Sequence, residues 1–148
     1  MGYKIIEKIN LNSSNVLMKV LAPLVASKAQ AGQFVILRPL SDSERIPLTI
    51  SDYDRERGTI TLIFAPVGET TAELNSLCAG DEICNVCGPL GNATVVGPGY
   101  TVVIGGGVGS AIALPVAKAV KENGGKVTAI LGFRTKELVI SEDEFRAV

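Results

Sequence analysis

The residues best suited to bind a ligand form a glycine-rich turn, Ile104-Gly105-Gly106-Gly107-Val108-Gly109-Ser110-Ala111, between a predicted strand and a predicted helix. Such a turn brings backbone N–H groups and the positive end of a helix dipole against a phosphate. The spacing departs from G-x-G-x-x-G, because Ile112 occupies the third glycine position, and Phe133-Arg134 replaces the expected ribose-binding carboxylate. We predict a phosphate-binding turn, with a tight turn that binds no ligand as the alternative.

A second candidate site is the segment Gly68-Glu69-Thr70-Thr71, which opens a predicted helix. The pattern fits a capping box, with Thr70 as the cap, Glu73 reaching back to its amide and Gly80 ending the helix. Free amides and two hydroxyls at a positive helix end suit a second phosphate. Capping boxes are common, so a purely structural role is the alternative.

A third candidate is Arg45-Ile46-Pro47-Leu48-Thr49-Ile50-Ser51, which follows a polar loop and has the residue types of a strand. Pro47 removes one hydrogen-bond donor from the strand, which favours an edge or a ligand-facing position. Thr49 then offers its hydroxyl and its amide to a ring-shaped ligand. Arg45, taken alone, is either a solvated charge or a phosphate ligand.

The three cysteines form no recognisable metal or redox site. Cys84 and Cys87 lie on one predicted strand, where positions i and i+3 face opposite sides, and no helix follows to lower a thiol pKa. We expect them, with Cys78, to be small buried hydrophobic residues. The chain has no histidine, and a cysteine-only zinc site needs four thiolates, so no metal site is predicted. The odd cysteine count suits a reducing cytoplasm.

Composition excludes several kinds of partner. The 148 residues include 14 basic and 15 acidic ones, and this net charge of −1 argues against nucleic acid and acidic membrane surfaces. The stretch between Glu82 and Lys118 carries no formal charge, but glycine and proline interrupt it too often for a membrane-spanning helix. We predict neither a signal peptide nor a membrane anchor.

The first hundred residues predict short strands separated by turns, with the single helix near Thr70 between them. Such spacing is typical of an all-β antiparallel barrel, here six-stranded and Greek-key, which removes exposed sheet edges. The predicted strands are Tyr3–Leu11, Asn15–Ala22, Gln33–Pro39, Ile46–Ser51, Thr59–Phe64 and Glu82–Cys87.

The hydrophobic period changes after the linker Asn92–Tyr100. Thr101–Ile104 and Lys126–Phe133 have the continuous apolar character of parallel strands buried on both faces. Ser110–Asn123 between them places Ala111, Leu114, Ala117 and Val120 at helical spacing. We therefore predict residues 98–148 to be the N-terminal part of an incomplete α/β nucleotide-binding domain, after a barrel domain over residues 1–97.

The order of these motifs resembles that of the ferredoxin-reductase-like flavoproteins. The shared motifs are R-x-P-L-T in a barrel strand, G-x-x-T at a helix start, and GPLG ahead of strand–GGGVG–helix. Glu44–Ser51, Gly80–Gly91 and Gly132–Glu137 are most similar to one branch of the family. That branch comprises the electron-transfer subunit of dihydroorotate dehydrogenase and, as the closer match, the small subunit of NADH-dependent ferredoxin:NADP⁺ oxidoreductase, also known as a sulfide dehydrogenase subunit.

The resemblance implies FAD on the barrel and NAD(P)H at the glycine turn. Thr49 is the residue that it places next to the reactive ring nitrogen of the flavin. Arg45 stands four residues before Thr49 instead of three, and Leu48 occupies the position of an aromatic residue, so the role of Arg45 stays open. The cofactor-binding residues that the resemblance implies are Arg45, Pro47, Leu48, Thr49, Gly68, Glu69, Thr70, Thr71, Gly106, Gly107 and Gly109.

The same resemblance implies an electron-transfer flavoprotein subunit, an NAD(P)H:flavin oxidoreductase. It would pass electrons from FAD to a 2Fe–2S cluster and then to a larger flavoprotein or dehydrogenase catalytic subunit, with ferredoxin linked indirectly. The cluster ligands of the family lie beyond Val148, so we expect no cluster in this chain, an incomplete nicotinamide site and an inactive fragment. The alternative is a non-catalytic module that binds a nucleotide or a partner.

Overall fold

The computed structural model describes residues 2–148 and contains two sheets. The strands of the first sheet are β1 (Tyr3–Asn10), β2 (Val16–Leu21), β3 (Phe34–Arg38), β4 (Ile46–Asp54), β5 (Thr59–Phe64), β6 (Glu82–Ile83) and β7 (Asn85–Leu90). Those of the second are β8 (Tyr100–Gly106) and β9 (Lys126–Gly132). The helices are α1 (Pro23–Ala26), α2 (Glu69–Ser76), α3 (Ser110–Glu122) and α4 (Glu142–Arg146), with single 3-10 turns at Gly107–Gly109 and Lys136–Leu138.

The first sheet is antiparallel and curled, in the order β6-β1-β2-β5-β4-β3-β7. The predicted count of six strands is wrong, because the segment expected as one strand, Glu82–Cys87, is divided at Cys84. β6 pairs with β1 at one edge of the sheet and β7 with β3 at the other. Since Cys84 alone separates β6 from β7, the sheet has to curl until its two edges meet there.

Alternating apolar residues on these strands build one hydrophobic core inside the curled sheet. Ile5, Met18 and Val20 have no exposed surface, and residues of β3, β4 and β5 complete the interior. The core takes in both helices of this part of the chain, through Val25 of α1 and Leu74 of α2. The expectation of a single short helix is therefore wrong, since α1 was not predicted.

The second sheet is parallel, with α3 packed on one face. Ala111, Leu114, Ala117 and Val120 are buried, which confirms the predicted helical face. The prediction that both strands are buried on both faces is wrong, because α3 covers a single face. Ile104 is 74% exposed and Ile130 is 53% exposed on the opposite face.

Contacts made by α3 and by Asn12 join the parallel sheet and its helices to the curled sheet. Helix α3 packs against β4. Lys118 Nζ on α3 lies 2.8 Å from Asp52 Oδ2 on β4. Asn12 Nδ2, in the turn between β1 and β2, donates to the carbonyl oxygen of Leu138 at 3.1 Å. None of the helices within residues 2–148 has the length and apolar character needed to cross a membrane.

Candidate functional site

Strand β4 presents Pro47 and Thr49 on its outer side. Ile50 is buried in the core, and Leu48 is half-buried and packs against that core. Side chains alternate along a strand, so Pro47 and Thr49 point away from the core. Pro47 is exposed and Thr49 half-buried, which leaves the Thr49 hydroxyl at the surface. Of the predicted ring-binding residues, Leu48 is the one that the structure turns towards the barrel interior.

Arg45 lies just before β4 and is held by the neighbouring edge strand. Its Nη1 donates to Asn85 Oδ1 on β7 at 2.6 Å, in an exposed position. The guanidinium is therefore engaged with a neutral amide at the start of β7.

Helix α2 starts two residues earlier than predicted. Gly68 is the N-cap, with extended backbone angles of φ −127° and ψ 171°. Thr71 Oγ1 accepts a hydrogen bond from the Gly68 N–H and donates one to the Gly68 carbonyl, both at 2.9 Å. The predicted box of Thr70 and Glu73 is wrong because Thr70 lies inside the helix, 7% exposed. The Thr71 hydroxyl is thereby used in closing the cap.

The start of α2 nevertheless offers free donors. The first intrahelical bond runs from Ala72 N to the Gly68 carbonyl at 2.9 Å, so the amides of Glu69, Thr70 and Thr71 have no acceptor within the helix. A Cβ built on Gly68 meets only Thr71 Oγ1, at 3.8 Å, which leaves the backbone open to a ligand. The exposed carboxylate of Glu69 lies in the same turn and opposes a bound anion unless it points away.

The glycines of the turn after β8 have different structural roles. A Cβ on Gly105 would lie 2.7 Å from Ser110 Cα, so Gly105 permits close packing of α3 on β8. Gly107 has a φ of +54°, which favours glycine. A Cβ on Gly106, Gly107 or Gly109 would meet no atom within 4 Å. The backbone at these three positions therefore borders open space, and the phosphate-binding role stays a prediction.

The glycine turn forms one side of a cleft of about 610 Å³ against the curled sheet. We call this the interdomain cleft, because residues of the curled sheet and of the parallel sheet line its two sides. It lies at the carboxyl ends of β8 and β9, which is where ligands bind in open α/β sheets. The residues that line it are Ser14, Asn15, Ala65, Gly107, Val108, Gly132, Phe133, Arg134 and Leu138.

Several residues of this cleft were not predicted as site residues. Arg134 is exposed at the end of β9 and forms no ion pair in the part of the chain that the structure describes. Ser14 and Asn15 come from the turn between β1 and β2, whose sequence indicates a turn and nothing more. Beside the cleft, the backbone amide of Glu137 and then the Thr135 side chain lower the pKa of the Glu137 carboxyl. Among the residues that line the cleft, Arg134 is the basic one, so its guanidinium supplies the positive charge there.

The predicted sites are thus only partly brought together. The structure places Gly107 in the interdomain cleft with Ala65, three residues before Gly68. Pro47, Thr49 and the start of α2 are not among the residues that line this volume. Pro47 is exposed and Thr49 half-buried on β4, and Gly68 and Glu69 are exposed at the start of α2.

The cysteines differ from the prediction in their exposure. Cys78 and Cys87 are exposed, and Cys84 is half-buried, so the expectation that all three are buried is wrong. All three thiols are free. Arg38 Nη2 lies 3.7 Å from Cys84 Sγ, which places this thiol beside a guanidinium at the break between β6 and β7.

Sequence comparison finds relatives that are named as electron transfer subunits. No family model matches the chain. The dihydroorotate dehydrogenase B (NAD(+)) electron transfer subunit homolog of Thermotoga maritima is 44% identical over 128 residues, which are 86% of this chain and 45% of that protein. The corresponding electron transfer subunit of Geobacillus kaustophilus is 34% identical over 131 residues, 84% of this chain and 51% of that protein. The chain spans about half the length of these curated relatives.

Structural comparison gives the same relationship. The structure of an NADH-dependent reduced ferredoxin-NADP oxidoreductase, reported with flavin-based electron bifurcation, matches with a TM-score of 0.93 and 40% identity. The match covers 98% of this chain and 53% of that one. The ferredoxin-NADP⁺ reductase of Plasmodium falciparum matches with a TM-score of 0.80 at 16% identity, over 98% of this chain and 63% of that one, and shows the fold alone. The chain therefore has the ferredoxin-reductase-like fold and is, over about half of their length, a homologue of the electron-transfer subunit of dihydroorotate dehydrogenase B and of a subunit of NADH-dependent ferredoxin-NADP oxidoreductase.

Proposed function

We propose that this chain is the flavin-binding part of an electron-transfer subunit that accepts a hydride from NAD(P)H onto FAD. The observation that carries the proposal is the interdomain cleft, in which the open glycine turn faces the curled sheet. The relatives named as electron transfer subunits support the same function. We divide the protein, as expected from the sequence, into a FAD-binding barrel over residues 1–97 and a nicotinamide-binding part over residues 98–148.

Each candidate residue has a positional role in this proposal. Bound flavin supplies the chemistry, since it takes a hydride and gives up electrons one at a time. Thr49 donates its hydroxyl to the ring edge from the outer side of β4, beside Pro47. The free amides of Glu69, Thr70 and Thr71 hold the FAD pyrophosphate, and the Thr71 hydroxyl keeps the cap in shape for them.

The nicotinamide dinucleotide is assigned to the interdomain cleft. Gly106, Gly107 and Gly109 let its phosphates approach the backbone, and Arg134 supplies the positive charge. Hydride transfer needs two rings held in close contact and no protein acid or base, which agrees with a sequence that lacks histidine. The residues of this chain therefore act by orienting ligands and excluding water.

The rest of the electron path is proposed for the whole protein, because the relatives are about twice as long as this chain. It consists of a 2Fe–2S cluster, a larger catalytic subunit and an indirect link to ferredoxin. We also propose a cytoplasmic location, where the three free thiols stay reduced. We expect the chain alone to bind FAD and to turn over nicotinamide poorly.

Flavin binding tests the proposal directly. The purified chain is mixed with FAD, separated from free cofactor by gel filtration and measured near 450 nm. We expect retained flavin, and a Thr49→Val affinity about five- to tenfold weaker, because one ligand hydrogen bond is lost. Thr101→Val, at another half-buried strand threonine on β8, is the matched control and leaves the affinity within about twofold.

Two results would contradict the proposal. A chain that retains no flavin, while folded by circular dichroism, does not bind FAD on its barrel. Nucleotide binding without any flavin absorption points instead to the alternative, a non-catalytic nucleotide-binding module.

A further inference from the structure

One side chain, Asn12, joins the two walls of the interdomain cleft. Its Oδ1 accepts hydrogen bonds from the amides of Ser14 and Asn15, both at 2.9 Å, and from Asn15 Nδ2 at 3.1 Å. These bonds hold the turn between β1 and β2 in shape. Its Nδ2 donates to the carbonyl of Leu138, 126 positions along the chain, at 3.1 Å. The carboxamide oxygen of Asn12 is therefore hydrogen-bonded within the curled sheet, and its nitrogen is hydrogen-bonded to the segment after β9.

The residues at both ends of this connection line the same cavity. Ser14 and Asn15 form part of the cleft wall on the side of the curled sheet, and Leu138 forms part of the opposite wall with Arg134. A change in the Asn12–Leu138 distance therefore changes the distance between the walls. Asn12 itself is half-buried, so water competes only partly for its carboxamide.

A second contact joins the same two parts of the molecule elsewhere. Lys118 and Asp52 meet at 2.8 Å, and both border a different cavity, of about 710 Å³, between α3 and the outer surface of β4 and β5. This ion pair is partly exposed, which limits its contribution to about 1 kcal/mol or less. The Lys118–Asp52 pair can be compared with the Asn12–Leu138 hydrogen bond, because it connects the same two parts without lining the interdomain cleft.

We propose that Asn12 is a positioning residue that sets the width of the interdomain cleft, and hence the fit of the nicotinamide dinucleotide between its walls. The inference rests on the proposed function for the identity of the ligand. The cleft width itself is a property of the chain without any ligand. Binding in a cleft depends steeply on wall spacing, because a wall displaced by a fraction of an ångström loses much of its contact energy.

Asn12→Asp separates the two roles of this side chain. Aspartate keeps the Oδ1 acceptor for Ser14 and Asn15 but replaces the donor to Leu138 with an oxygen that repels the carbonyl. Asn12→Ala removes both sets of bonds. Asp52→Asn is the matched control, because it removes the charge from the second contact and leaves the cleft walls unchanged.

Amide hydrogen exchange of the ligand-free chain is the first test. In Asn12→Asp we expect the amides of Leu138 and Val139 to exchange about fivefold faster, because their segment opens more often once the Leu138 carbonyl loses its hydrogen bond to Asn12. Exchange in the turn at Ser14 and Asn15 stays unchanged. Asn12→Ala speeds exchange in both segments. Asp52→Asn leaves both within about twofold. Unchanged exchange at Leu138 in Asn12→Asp overturns the inference.

The second test is a titration with NADH, in which the amide NMR signals of Gly107 and Gly109 report binding. Asn12→Asp is expected to weaken NADH binding at least fivefold while FAD affinity stays within about twofold, and Asp52→Asn leaves both within about twofold. An equal loss of NADH affinity in the two variants overturns the inference, because the cleft then has no special dependence on Asn12. A wild-type chain that takes up no FAD refutes the proposed function instead, and the exchange data still decide whether Asn12 holds the walls.

Discussion

Gly105 and Gly106 are adjacent, and the structure predicts opposite outcomes when alanine replaces each of them. A Cβ on Gly105 would lie 2.7 Å from Ser110 Cα and 3.1 Å from Ser110 N, both at the start of α3. To restore ordinary contact at 3.4 Å, the helix start and β8 have to separate by about 0.7 Å. Both clashing groups are backbone or next to it, so no side-chain rotation relieves them.

The expected cost of Gly105→Ala is that of overpacking a buried contact, about 1–3 kcal/mol in the free energy of unfolding. For a chain of this size, 1 kcal/mol corresponds to about 2–4 °C, so the melting temperature should fall by about 2–12 °C. Gly106→Ala meets no atom within 4 Å, and its backbone angles of φ −116° and ψ 128° suit alanine. Loss of unfolded-state freedom should stabilise that variant by about 0.4–1 kcal/mol.

Thermal and urea unfolding followed by circular dichroism measures both effects. For NADH affinity we expect the opposite order: Gly106→Ala should weaken binding more than Gly105→Ala, because a methyl group on Gly106 fills the space assigned to the ligand. A Gly105→Ala protein as stable as the wild type would refute the packing role of that glycine. A Gly106→Ala protein that binds NADH normally would refute the assignment of the open space to the dinucleotide.

Two further predictions concern α2 and the cleft. Thr71→Ala removes both hydrogen bonds to Gly68 and should lower the free energy of unfolding by about 1 kcal/mol in urea, whereas Thr71→Ser keeps the hydroxyl and should stay close to the wild type. Equal stability of the two variants contradicts the cap. Arg134→Ala should change stability by less than about 0.5 kcal/mol but weaken NADH binding about tenfold in an NMR titration, with Arg134→Lys intermediate. An unchanged NADH affinity places the phosphates elsewhere.

Local patterns were sufficient to predict most strands, since each depends on residues close together in the sequence. The prediction for β5, Thr59–Phe64, agrees with the structure at both ends, and the other barrel strands before residue 80 begin within one residue of the prediction. The division at Cys84 was missed because Glu82–Cys87 has the length and residue types of one short strand. Its change of partner, from β1 to β3, depends on residues far away.

The N-cap of α2 shows a second limit of prediction from local sequence patterns. Gly68 with Thr71 and Thr70 with Glu73 have the same spacing of three, so the pattern alone allows either. Burial of Thr70 decides between them, and burial is a property of the whole fold.

The cleft walls were missed for a related reason. Asn12 looks like any turn residue until a segment 126 positions away is placed against it. The exposure of one face of β8 and β9 likewise depends on which elements cover the sheet. The apolar residues of the two strands do not show whether one face or both faces are covered.

The break at Cys84 also has a consequence for the order in which the molecule forms. β1 with β2, and β4 with β5, pair over short distances along the chain, so these hairpins are available early. Both outer edges of the sheet stay open until one short segment, Glu82–Leu90, becomes available, because that segment pairs with β1 through Glu82–Ile83 and with β3 through the remainder. During synthesis, the segment Glu82–Leu90 must therefore leave the ribosome before the edges are closed, and until then both edges are exposed to pairing with other chains.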